Sequence, residues 1–243
     1  LLVLREGNTG EMEVQGVIQG LLKMLGPDGC NVLSDVSVRP LRGRVYFTLA
    51  DGRLTDTANL SDGLRRLVNI GMDLAFRCML LNKGIYGLEA CKKTEGTVLI
   101  DEIDLHLHPT LQSTVVKGLQ NAFPELQFII TSHAPMVMTG IPMDEANKII
   151  KLGYSLKDGY TAREISAYGL DASTIIESVL GVIPRYKVVD DQLTTLFDLI
   201  DSDQFAAARA FLAAMRKEFG ERLPELARAE SMLNFLKPDE AND

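Results

Sequence analysis

Two short runs of β-branched and aromatic residues, Thr97–Ile100 and Phe128–Thr131, stand on either side of a helical pattern from Leu111 to Phe123. A strand–helix–strand order of this length requires a parallel pair joined by a crossover. The chain is therefore expected to be α/β, with a parallel sheet flanked by helices. Apolar residues fill the first run, which reads as a buried strand. That run opens into Asp101 and Glu102, and the second into Thr131, Ser132 and His133. Open α/β sheets gather ligands at the carboxyl ends of their strands. Adjacent acids leaving a buried strand are costly unless a cation or a reacting group uses them; the plain alternative is a strand that runs out into solvated acids.

A third stretch, Leu60-Ser-Asp-Gly-Leu-Arg-Arg66, opens a helix with apolar residues at Leu64, Leu67, Ile70, Met72, Leu74, Ala75, Cys78, Met79 and Leu81. A helix start exposes free N–H groups and a partial positive charge that suit a phosphate. Ser61 adds a hydroxyl and Gly63 lets the backbone approach closely, although Ser61-Asp62 also has the form of a simple N-cap.

Taken with Gly96-Thr-Val-Leu-Ile-Asp-Glu-Ile-Asp-Leu-His-Leu-His-Pro109 and Phe128-Ile-Ile-Thr-Ser-His-Ala-Pro135, this stretch resembles the signature motif of ABC-type ATPases. The other two resemble their Walker B strand with D-loop and their switch histidine. The likeness is to the SMC/RecF-like branch and, within it, to ATPases of bacterial anti-phage systems, the Septu and retron-associated ATPases. It covers roughly residues 59–135. One departure is Asp62, where the family usually carries glycine.

The resemblance implies an ABC-type P-loop ATPase lobe over residues 1–165 and a small helical C-terminal appendage over 166–243. It implies ATP and Mg²⁺ as ligands, with Asp101 in the metal shell through water and Glu102 orienting or deprotonating the attacking water. His133 would sense the γ-phosphate. Ser61, Gly63 and the D-loop acid Asp104 would act on ATP held by a partner subunit, so that a homo-oligomer sandwiches the nucleotide. His106 and His108 alternate with leucines and lack a cysteine or paired acid at ligand spacing, which favours structural roles over a metal site.

No G-x-x-x-x-G-K-[ST] run occurs, and the first residue is leucine. An ATPase of this kind needs that loop to cradle phosphates. The chain is accordingly expected to be the carboxyl-terminal part of a longer protein, inactive by itself; if it is complete, a nucleotide-free scaffold becomes the better reading. The leading reading is an ATPase or ATP-gated sensor of phage defence that regulates an effector such as an HNH nuclease. Its rival is an SMC/RecF-like DNA-repair ATPase. A nuclease built on Asp198, Asp201 and Asp203 is disfavoured, because these acids sit at a helix break and not at strand ends.

Composition narrows the partners. Twenty-five basic against 33 acidic residues leave a net charge of −8, which argues against a general nucleic-acid coat. A local basic contact stays open at Arg39, Arg42 and Arg44, the tip of a predicted hairpin formed by Val32–Arg39 and Arg44–Ala50. Cys30, Cys78 and Cys91 lack metal or C-x-x-C spacing and read as reduced thiols of a cytoplasmic protein. No run approaches a membrane span. Elsewhere the pattern predicts a helix over 8–25 capped by Asn8 or Thr9, a polar connection over 82–95, a strand pair around the Lys157-Asp-Gly159 turn, and four helical segments after Gly169.

Overall fold

The computed structural model describes residues 11–39, 44–142, 144–182 and 185–236. These form two compact units that divide in sequence between Val179 and Leu180.

The first unit begins with helix α1 (Glu11–Leu25); the N-cap positions Asn8 and Thr9 lie outside the described residues. Its apolar stripe, Val14, Val17, Leu21, Met24 and Leu25, is buried against helix α2 (Asp62–Tyr86), which turns Leu64, Leu67, Val68, Leu74, Ala75, Cys78 and Met79 inward. Glycine makes the contact close: a Cβ on Gly20 would lie 3.0 Å from both the Ala75 Cβ and the Cys91 Sγ. Glu13, buried on α1, pairs with Lys83 of α2, as a buried carboxylate must.

Strands β1 (Leu33–Arg39), β2 (Arg44–Leu49) and β3 (Leu54–Asp56) form an antiparallel sheet in that order, with a register shift between Leu33 and Asp35. The hairpin agrees with the sequence pattern, and β3 extends it. Arg44 is held by the buried carboxylate of Asp56 at 2.8 Å, and the Arg39 guanidinium lies over the Tyr46 ring. Arg42 lies outside the described residues. Two of the three arginines offered for a basic contact are thus engaged inside the sheet.

Residues 82–95 are not the polar connection that their lysines and glycines suggest. Helix α2 continues to Tyr86, a 3₁₀ turn covers Gly87–Glu89, and helix α3 (Ala90–Lys93) buries Ala90 and Cys91. A four-residue apolar signal is too short to betray a helix that tertiary packing supplies.

Strands β4 (Gly96–Ile100) and β5 (Leu126–Ile130) pair in parallel, with Ile100 opposite Ile130. Between them the predicted single helix is broken into α4 (Pro109–Gln112) and α5 (Val115–Ala122). The break falls where the Ser113 and Thr114 hydroxyls donate to the Thr110 carbonyl, a local bond that competes with regular helix. Val98, Ile100, Phe128 and Ile130 pack on the core shared by α1, α2 and α5. The reading of the β4 run as a buried strand is corrected for one face: Leu99 is 77% exposed and Ile129 51%, because among the described residues no element covers that face. Helix α6 (Pro135–Thr139), the antiparallel pair β6 (Ile149–Ser155) and β7 (Gly159–Ile165), the short helix α7 (Ala172–Thr174) and a π-helical turn over Ile175–Leu180 follow. Asp171 caps α7 through the Ser173 and Thr174 N–H groups.

The second unit consists of helices α8 (Lys187–Asp201), α9 (Phe205–Phe219) and α10 (Pro224–Leu236). Leu193, Leu196, Ile200, Ala208, Leu212, Met215, Leu226, Ala229 and Leu233 form one cluster, so their apolar faces pack locally. Proline at the first position of α10 costs no hydrogen bond, because that N–H has no helical partner. Asp198 and Asp201 lie in the last turn of α8 and Asp203 in the tight turn that follows. No helix among the described residues is long and apolar enough to cross a membrane.

Candidate active site

Parallel pairing of β4 with β5 delivers Asp101 and Glu102 to the same sheet end as Thr131, Ser132 and His133. The ladder continues past the strands: the Thr131 N–H donates to the Ile100 carbonyl at 3.0 Å, and the Ile103 N–H to the Thr131 carbonyl at 3.1 Å. Between these bonds the chain turns sharply, and Glu102 adopts φ 49°, an uncommon conformation for a residue with a Cβ. Its N–H is not lost in the turn. It donates to the Thr131 Oγ1 at 2.8 Å, and that hydroxyl in turn donates to the Asp101 carboxylate. The side chains of Asp101, Glu102 and His133 are all exposed. Ser132 Oγ accepts the Ala134 N–H at 3.0 Å, which steers the chain past His133 into α6.

After Glu102 the chain forms a tight loop. The Leu105 N–H donates to the Glu102 carbonyl, the Leu107 N–H to that of Asp104, and His106 sits at φ 63°. Ile103 and Leu107 are buried and anchor it. Asp104 is partly buried, and its Oδ1 has no hydrogen-bond partner among the described residues. His108 has a positive structural role, because its Nδ1 accepts the Thr110 N–H and caps α4.

The α2 start meets this loop directly. Ser61 caps α2 by accepting the Leu64 N–H at 3.4 Å, and Asp62 pairs with Arg65 at 3.4 Å, so the departure from glycine at residue 62 is met by an exposed ion pair. Gly63 is buried, and a Cβ there would stand 2.3 Å from the His106 carbonyl oxygen. Its glycine is required by packing inside this chain, a reason the sequence reading did not supply.

Two further residues escaped that reading. Arg66, one helical turn into α2, donates through Nη2 to the Asp101 carbonyl at 3.0 Å and to the Glu102 carbonyl at 2.8 Å. Thr131 bonds both acidic residues. Thr131 was legible as the end of a strand, and Arg66 only as a charge on a helix; neither signal names its partners. All six residues singled out earlier thus fall in one neighbourhood of the first unit: Asp101, Glu102, Asp104 and His133 through the β4–β5 end, and Ser61 and Gly63 through α2.

A family model described as "AAA domain, putative AbiEii toxin, Type IV TA system" matches residues 17–139. The chain is 43% identical over 140 residues to the retron Vc95 probable ATPase of Vibrio cholerae serotype O1 biovar El Tor, covering 53% of this chain and 27% of that protein. It is 34% identical over 178 residues to the retron Ec83 probable ATPase of Escherichia coli, covering 69% and 30%. Against the Septu protein PtuA of Bacillus mycoides (strain KBAB4) it is 38% identical over 97 residues, covering 40% and 13%. The chain therefore spans less than a third of the length of these relatives. The family match takes in half of the chain and all three motif stretches, and the chain belongs to this AAA-domain family.

Proposed function

We propose that this chain supplies the signature, Walker B and switch-histidine portion of a lobe that binds and hydrolyses ATP in a bacterial anti-phage system, and that its nucleotide state governs an effector such as an HNH nuclease. One observation carries the reading: the Asp101–Glu102 pair and the Thr131–His133 run leave adjacent parallel strands at one end, and the Ser61-capped helix start is seated on the loop between them. The names of the retron and Septu relatives support the defence context.

The donor set suits Mg²⁺. Two exposed carboxylates and the hydroxyls of Thr131 and Ser132 are hard oxygen ligands of the kind that ion prefers. Asp101 would hold it through water, and the bound ion would neutralise charge on the phosphates. Glu102 orients the attacking water and takes its proton, and His133 donates to the γ-phosphoryl oxygens. The free N–H groups at the α2 start and the Ser61 hydroxyl contact nucleotide held by a second subunit, with Gly63 fixing the helix start on its own D-loop. Asp104, in the loop on which the α2 start is seated, serves the same interface. The ATPase portion runs through residue 165 and the helical appendage from 166, with residues 166–179 packed in the first compact unit and joining it to the second.

The test is Glu102→Gln in the complete natural protein. Phosphate release should fall about 100-fold or more, while ATP-dependent association, read by light scattering, persists longer than in the wild type. Unchanged turnover in the variant, or a wild-type protein that does not bind ATP, overturns the reading.

A further inference from the structure

We propose that Arg66 is a positioning residue that holds the Glu102 backbone in register with the start of helix α2. The inference rests on the ATPase reading for its catalytic consequence, but its geometry stands without it. Glu102 sits at φ 49°, and such a conformation persists only where the surroundings over-determine it. Here they do so from two sides. Strand β5 takes the Glu102 N–H through the Thr131 hydroxyl at 2.8 Å and the following N–H, that of Ile103, through the Thr131 carbonyl at 3.1 Å. Helix α2 takes the two carbonyls on either side of the Glu102 Cα-bearing turn, those of Asp101 and Glu102, with one guanidinium nitrogen of Arg66 at 3.0 and 2.8 Å.

The donor is charged, so both bonds are stronger than their neutral counterparts. A planar guanidinium presents several N–H groups in a fixed fork, which an ammonium on a flexible stem does not. The neighbouring Arg65 shows the contrast. It turns back to Asp62 and to the Ala58 and Leu60 carbonyls within its own segment, so it ties down only the approach to α2. Arg66 alone of the pair reaches across to the strand end.

The consequence is mechanical. Ser61 caps the helix five residues before Arg66, roughly 7 Å along the axis at the usual helical rise. Gly63 lies between them, packed on the His106 carbonyl. A displacement of the α2 start by whatever Ser61 touches is therefore transmitted to the carbonyls that set the direction of the Glu102 side chain.

The experiment uses the complete protein in four forms: wild type, Arg66→Ala, Arg66→Lys and, as a neighbour control, Arg65→Ala. Amide hydrogen exchange without nucleotide is followed over residues 99–105, with residues 33–49 as a reference for global stability. Loss of the Arg66 bonds should raise exchange at 102–103 about tenfold, the size expected for a lost charge-assisted bond, with the reference segment unchanged. The turnover number for ATP should fall by about tenfold with KM within about twofold, the signature of a lost orientation and not of lost binding. Arg66→Lys should recover part of both effects, and Arg65→Ala should reproduce neither. Unchanged exchange over 99–105 in Arg66→Ala overturns the proposal, as does raised exchange with unchanged turnover. Raised exchange in a protein whose wild type does not hydrolyse ATP upholds the Arg66 clamp and removes the ATPase reading instead.

Discussion

The end of the β4–β5 pair and the three-helix unit fasten their polar groups differently. In the helical unit the main ion pairs join side chain to side chain: Arg216 binds Glu230 through two N–H groups at 2.8 and 2.6 Å, and Arg185 pairs with Glu225, while Arg216 Nε and Glu225 Oε2 have no hydrogen-bond partner among the described residues. Its apolar side chains close on themselves. At the strand end, the Asp101, Glu102 and His133 side chains stand exposed, and Glu102 and His106 hold positive φ. The bonds there fasten backbone and leave side chains available. Strained backbone persists only where its surroundings over-determine it, so the strand end is fixed mainly through its main chain and the helical unit mainly through its side chains.

Five substitutions break or sharpen that contrast, beginning with the largest effect. Phe123→Ala in the first unit and Leu196→Ala in the second each remove a fully buried side chain and should cost about 3–5 and 2–5 kcal/mol respectively, read by urea unfolding. Leu99→Asn on the open strand face should stay within about 0.5 kcal/mol; a large loss there would mean that the face is covered in solution. Gly63→Ala comes next. Its methyl group would press on the His106 carbonyl, and a loss of roughly 1–3 kcal/mol is expected, together with loosened exchange over 103–107. Ser61→Ala removes the α2 cap and should cost about 1 kcal/mol. If Ser61 also contacts nucleotide in trans, ATP-driven association should weaken beyond what that stability change explains.

The smallest effect lies in the helical unit. Hydrogen bonds from Arg185 and Arg216 hold the Glu225 and Glu230 carboxyls below their ordinary range. A carboxylate with a depressed folded pKa contributes stability above its unfolded value and loses it as pH falls through the folded one. Acidification through and below the usual carboxylate range should therefore lower the melting temperature of this unit. Glu230→Gln should flatten that fall while changing little at neutral pH, since such pairs are partly exposed.

Much of this was legible in the residues. The two β-branched runs with a helix between them imposed a parallel pair, and the polar residues following each run had to share its carboxyl end. The Ser61 cap and the amphipathic stripe of α2 were equally plain, as were the hairpin ending at Arg39 and Arg44 and the local packing of the last helices. Other features had no local signature. The helical turn at Ala90–Lys93 forms because α1 and α2 offer Cys91 a place to bury, and the break at Ser113–Thr114 depends on hydroxyls that could as well have faced water. The exposure of Leu99 follows from what does or does not stack on the sheet, which a strand's own sequence cannot state.

For the chain as a whole, sequence by itself determined the periodicities, the caps and the order of the chemical groups, because these depend on neighbours within a few residues. Tertiary structure decided the partners: that Arg66 binds Asp101 and Glu102, that Thr131 joins both acids, and that Gly63 must be bare because of His106. Those contacts link residues about thirty to forty positions apart. They exist only after burial of the α1–α2–α5 core has brought the helix start and the two strand ends together, and no pattern within either segment encodes where the other will lie.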